Sequence, residues 1–176
     1  ASVAPYLCYA VEDGPVRLVM LDTMQPGSHS GHCPEAVAGW LERTLAARPG
    51  VPTLLFMHHP PFVTGMGAMD EPFESVGRLA DILSRSPWVR LCCGHMHRPI
   101  VTQWAGCIAL TSPAVSMQID LDLSPEGGDT FRMETPGYLL HHWDGSVLNS
   151  HICQIPCSPT FSGPHPFVGS VNPVEG

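Results

Sequence analysis

Two short stretches hold residue types that can do chemistry. In RLCCGHMHRP, Arg90 to Pro99, a run of small apolar residues ends at a glycine and delivers His95 and His97. In TLLFMHHPPF, Thr53 to Phe62, an apolar run is followed by His58, His59 and two prolines. Neutral imidazole is a common transition-metal ligand, and metals so held activate water for hydrolysis. In an extended segment, residues two apart share a face and lie about 6–7 Å from each other. Paired ions in two-metal hydrolases are about 3.5–4 Å apart, with metal–imidazole bonds of about 2 Å, so His95 and His97 could each serve one ion. The plain alternative is two half-exposed histidines at a strand end; a second histidine-bearing strand, ending in His58, favours metal.

Alternation along a strand lets only one of His58 and His59 face the ligand edge, and the double proline stops the strand sharply. His58 is therefore expected as a ligand. His59 is expected at the lip, facing substrate or bonded to a backbone carbonyl. Gly94 would let the backbone approach the metals. Arg98 offers a planar donor pair to a phosphate oxygen, or else a structural ion pair.

The elements that must hold these residues are legible in the pattern. YLCYAVEDGPVRLVMLDT reads as two strands turning at Asp13-Gly14. Glu35 to Arg48 places Val37, Trp40, Leu41 and Leu45 on one helical face, ended by Pro49-Gly50. A strand over Thr53 to Met57, a helix over about Phe73 to Arg85 and a strand over Trp88 to Cys93 follow. Hairpins are expected around Ala105-Gly106 and Asp144-Gly145, with an irregular acidic stretch between them. Strand–helix–strand–helix–strand flanked by hairpins is a layered α/β sandwich. The histidine strands are each preceded by a helix, so they should run parallel with their carboxyl ends on the edge where open α/β sheets bind ligands. Residues 1–155 read as one domain and 156–176 as a Pro/Gly-rich, poorly ordered tail.

Composition narrows the function classes. The chain has 176 residues, enough for one core. The formal net charge is -8 and every basic residue is an arginine, with no cluster, which argues against nucleic acid and anionic membranes as partners. Seven cysteines without a C-x-x-C pair suggest a reducing, cytoplasmic setting, although Cys153 and Cys157 could pair or bind metal. No apolar run reaches membrane-spanning length, and the opening residues are not expected to be a signal peptide. The start, ASVAPYLCYA, lacks Met and enters strand-like sequence directly, which reads as a processed or truncated beginning.

Taken together, FMHHPPF, the later MD at Met69-Asp70 and CCGHMHRPI resemble the calcineurin-like metallophosphoesterase superfamily. The branch they resemble is that of bacterial cyclic-nucleotide and glycerophosphodiester phosphodiesterases. LVMLDTMQPG, LTSPAVSMQ and PGYLLHHWDG extend the resemblance over nearly the whole chain. It implies the C-terminal part of a layered α/β/β/α sandwich and a dinuclear centre of Fe, Mn or Zn acting on a small phosphodiester. By resemblance His58 and His95 bind one ion and His97 the other. The family's Asp-x-His, Gly-Asp and Gly-Asn-His-Asp motifs do not occur ahead of the histidine stretches, so by this resemblance the bridging carboxylate and the leaving-group histidine are missing.

Three imidazoles cannot hold two hard dications without carboxylates. Asp22 is the one carboxylate at a plausible edge, and is expected to cap the following loop; Asp70 is expected to brace the site loop. His29, His32 and Cys33 have zinc-like spacing without a fourth ligand, while His141, His142 and His151 read as sheet-surface residues. No G-x-S-x-G supports a serine nucleophile. Three functions stay open: a phosphodiesterase of which this chain is the C-terminal portion, a non-catalytic remnant of that fold, and a mononuclear zinc protein using His58, His95 and His97. Strands of the absent half are expected beside the His58 strand, and an open edge there implies a homo-oligomer or a complex with an N-terminal segment.

Overall fold

The computed structural model describes residues 3–155 and 162–167. The first hairpin is β1, Tyr9–Val11, against β2, Arg17–Met20. Helix α1 spans Glu35–Ala47, β3 Thr53–Met57, α2 Val76–Ser84 and β4 Val89–Cys93. The next hairpin is β5, Ile100–Trp104, with β6, Cys107–Thr111. These six strands form one sheet in the order β1-β2-β3-β4-β6-β5. The four central strands are parallel and only the edges, β1 and β5, are antiparallel.

Parallel strands are buried on both faces and so read as unbroken apolar runs. Here Leu55 and Met57 of β3 and Leu91 and Cys93 of β4 face the helices, in a core with Val37, Leu41, Leu45, Leu79 and Leu83. Leu54 and Cys92 face the other way with Leu110 and Phe56. Cys92 and Cys93 therefore lie on opposite faces, and no disulfide joins any of the described cysteines; Cys157 is outside the described residues. On its buried face α1 carries Val37, Trp40, Leu41 and Leu45 as its spacing requires.

The second sheet face receives the hairpin β9, Gly137–Trp143, with β10, Leu148–Gln154. Leu139 and Leu148 pack on it. A polar bridge fixes the register: Arg90 of β4 donates to Ser150 Oγ at 2.7 Å, and His141 Nδ1 meets the same oxygen at 2.7 Å. His141 thus faces the sheet, while His142 and His151 are exposed.

Three expectations change. The acidic stretch contains β7, Gln118–Ile119, and β8, Thr130–Met133, too short for periodicity to reveal. Within the supposed tail, β11, Ser162–Pro166, pairs with β8; the rest of 156–176 beyond Phe167 and before Ser162 lies outside the described residues. And β3 is not beside an unfilled position: it pairs with β2 on one side and β4 on the other. The strand at that end of the sheet is β1, where Tyr9 and Val11 are exposed.

Candidate metal centre

The site forms where parallel strands stop together. Gly94 N donates to the carbonyls of Met57, at 3.3 Å, and His58, at 3.0 Å, so the ends of β3 and β4 are tied to each other. A Cβ on Gly94 would sit 3.1 Å from His58 Nδ1, a tight contact that would press on the His58 ring, so glycine lets the two histidine segments approach closely. Beyond Gly94 the chain is not extended. His95 and His97 have φ of 67° and 48°, in the left-handed region, on either side of Met96, which is 1% exposed and anchors the turn. Left-handed non-glycine residues are uncommon and concentrate at functional sites.

This geometry alters the grouping expected from alternation. His58, His59 and His95 offer ligand atoms that all lie within 4.8 Å of one another. Their ring centroids are 4.8 Å apart for His58–His59, 5.3 Å for His58–His95 and 5.2 Å for His59–His95. Strand pairing ends at Met57, so His58 and His59 lie in a bend where the two-residue period no longer applies. His97 is not part of this trio. Its Nδ1–H donates to the Met117 carbonyl at 3.2 Å, which leaves Nε2 with a free lone pair, the arrangement usual for a metal-binding histidine. Arg98 is engaged elsewhere: Nη2 pairs with Glu134 at 2.9 Å and Nε meets the Ile119 carbonyl, so the residue braces β7 and β8.

The surroundings keep the trio neutral. Burial, together with the neighbouring His58 and His95, lowers the His59 pKa to about 4. Burial and His97 lower that of His58, and burial, His58 and His97 that of His95. Neutral imidazoles are what a metal requires. The sign for stability follows: His59 takes up a proton less readily folded than unfolded, where its value is about 6.5, so acid favours unfolding. The urea midpoint is expected to fall as pH drops from about 6.5 towards 4, and His59→Asn should flatten that fall. A midpoint independent of pH over this range would contradict the placement of His59.

Several residues that the sequence did not single out shape the site. Thr23 Oγ1 lies 2.9 Å from His59 Nδ1 and orients the ring. Gly31 packs on His59 and Phe73 so closely that an added Cβ would be 2.5 Å from His59 Cβ. Glu71 shares with His59 and His95 a cavity of about 10 Å³, the size of one water. Glu71 Oε2 is buried and has no hydrogen-bond partner among the described residues. Only the burial of Gly31 had a signal in sequence, as the lone glycine between two histidines. The other carboxylates act as expected: Asp22 accepts from Leu7 N and Met24 N, each at 3.0 Å, and Asp70 from Thr64 N at 2.8 Å and Gly65 N at 2.7 Å. His29, His32 and Cys33 form no metal-competent group among the described residues.

Comparison with known proteins yields a consistent set. No family model matches the chain. It is 38% identical over 166 residues to a probable glycerophosphodiester phosphodiesterase of Arcobacter nitrofigilis, covering 92% of this chain and 60% of that protein. It is 33% identical to a glycerophosphodiester phosphodiesterase of Enterobacter lignolyticus, covering 81% and 52%. The 3',5'-cyclic adenosine monophosphate phosphodiesterase of Escherichia coli K12 is 33% identical, covering 74% and 48%. The chain thus spans about half to three fifths of the length of these relatives. No helix among the described residues is long and apolar enough to cross a membrane.

Proposed function

We infer that this chain, a relative of the bacterial glycerophosphodiester and cyclic-nucleotide phosphodiesterases in the calcineurin-like metallophosphoesterase branch, supplies the histidine side of a centre that hydrolyses phosphodiesters. The observation that carries the reading is the convergence of His58 and His95 at the carboxyl ends of adjacent parallel strands, beside a His97 whose Nε2 is free. The donor set fits borderline divalent metals such as Fe, Mn or Zn, since imidazole is their usual ligand. Two such ions, when bound, would supply the activated hydroxide that attacks phosphorus.

The chain's own residues do the rest. His58, His95 and His97 donate lone pairs, and the Met117 carbonyl holds the His97 ring in the tautomer that leaves Nε2 free. Gly94 holds the two strand ends at a fixed separation. The carboxylates and leaving-group histidine would come from an N-terminal segment, with the β1 edge as one place for added strands. A small phosphodiester is the substrate class, and the cytoplasm the setting. A mononuclear reading has its own support in the tight trio of His58, His59 and His95.

The test is turnover of an activated phosphodiester by the chain alone and after co-expression with the N-terminal part of the Arcobacter nitrofigilis relative. Positioned acid–base groups contribute about 10²–10⁴-fold. The chain alone should fall short of the pair by at least about that factor. His97→Ala should abolish the gain. Equal turnover with and without the added segment would overturn the reading.

A further inference from the structure

Resting on the reading that these histidines bind metal, we propose that the chain by itself holds a single transition-metal ion among His58, His59 and His95, with Glu71 as the carboxylate that offsets its charge. The three imidazoles offer ligand atoms within 4.8 Å of one another; one ion with bonds of about 2 Å spans at most about 4 Å, so a small rotation of the rings closes the trio on it. Three neutral ligands leave a dication uncompensated in a partly buried site. The structure places one carboxylate where it answers that charge. Glu71 lines the same cavity as His59 and His95, and its Oε2 is buried without a partner. A buried carboxylate oxygen that no donor meets is costly, and a cation in the adjoining cavity removes that cost.

Glu71 lies outside the trio, so it reaches the ion by a side-chain rotation or through one water, for which the cavity of about 10 Å³ has room. Thr23 makes His59 available. Its Oγ1 lies 2.9 Å from His59 Nδ1, and a hydroxyl both donates and accepts. An ion at the other ring nitrogen displaces the hydrogen bond His59 makes to the His29 backbone and leaves the ring proton on Nδ1, where Thr23 accepts it, so no proton need be lost. The other nearby carboxylate, Asp70, is already committed to Thr64 and Gly65. Glu71 is therefore the free acidic group on this side of the site.

The experiment is cobalt(II) titration of the purified full chain, followed by visible absorption and by elemental analysis after dialysis. One cobalt per chain is expected. Glu71→Gln keeps the shape and removes the charge; it should weaken binding about 10–100-fold, the usual effect of losing a carboxylate that supports a ligand, and change the absorption band. Circular dichroism of the metal-free variant should match that of the parent. Unchanged affinity and spectrum in Glu71→Gln, or two ions per chain, would overturn the proposal. So would a loss in His97→Ala as large as that in His59→Ala, because His97 is outside the trio. Binding that survives His58→Ala and His95→Ala would instead remove the underlying reading that these residues are ligands, whatever Glu71 does.

Discussion

His95→Gly is expected to abolish transition-metal binding while leaving the fold as stable as the parent or more so. His95 is the one member of the trio from the β4 end, at 5.3 Å from His58 and 5.2 Å from His59, so its loss leaves only the adjacent pair His58 and His59. Losing an outer partner of a ligand already costs about 10–100-fold in affinity, so losing a ligand itself should exceed about 100-fold. Stability moves the other way for a backbone reason. His95 is held at φ 67°, which a β-carbon opposes and glycine adopts freely. The residue it would be replaced by relieves strain at the position where chemistry requires a side chain. Cobalt titration and urea denaturation on the same preparations check both halves. A variant that loses metal only because it unfolds would show a lower urea midpoint, and that result would count against the assignment.

Gly31→Val should disable the site by displacing His59 and destabilise the chain by about 1–3 kcal/mol or more, as overpacking does. A Cβ there would lie 2.5 Å from His59 Cβ and 2.7 Å from the Phe73 ring, contacts no rotamer change relieves on the His59 side. Gly31 also carries a carbonyl that accepts from Glu74 N at 2.9 Å and bridges to Met24. Pushing it outward breaks the link between the loop after β2 and the loop before α2. The expected readout is a reduced urea midpoint together with metal affinity weakened at least as much as in Glu71→Gln. Retention of both would mean that the contact yields without moving His59.

How legible was this arrangement in the sequence? The main sheet was. Long apolar runs such as Thr53–Met57 and the Leu41–Leu45 helical stripe have periods that survive any packing. His58 and His95 were legible because each follows such a run at a glycine or proline stop. The trio was not, since it depends on Met57 being the last paired residue and on two left-handed turns at His95 and His97, neither encoded in a period. Glu71 was hidden for a related reason: it meets His59 and His95 from a separate loop, a proximity that no sequence period encodes. Arg98 showed the right type beside the right motif, yet a Glu134 36 positions away claims it.

The order of the sheet also governs when the histidines meet. Both strand pairings that frame them join residues 36 positions apart, Arg17 with Thr53 and Thr53 with Val89. Non-local parallel pairing is slow to form because loop-closure entropy must be met before contacts reward it. The hairpins close early by comparison, and they carry no part of the trio. In a chain emerging from synthesis the trio is therefore gathered only once the crossover through α2 has closed, because His58 and His59 follow β3 and His95 follows β4.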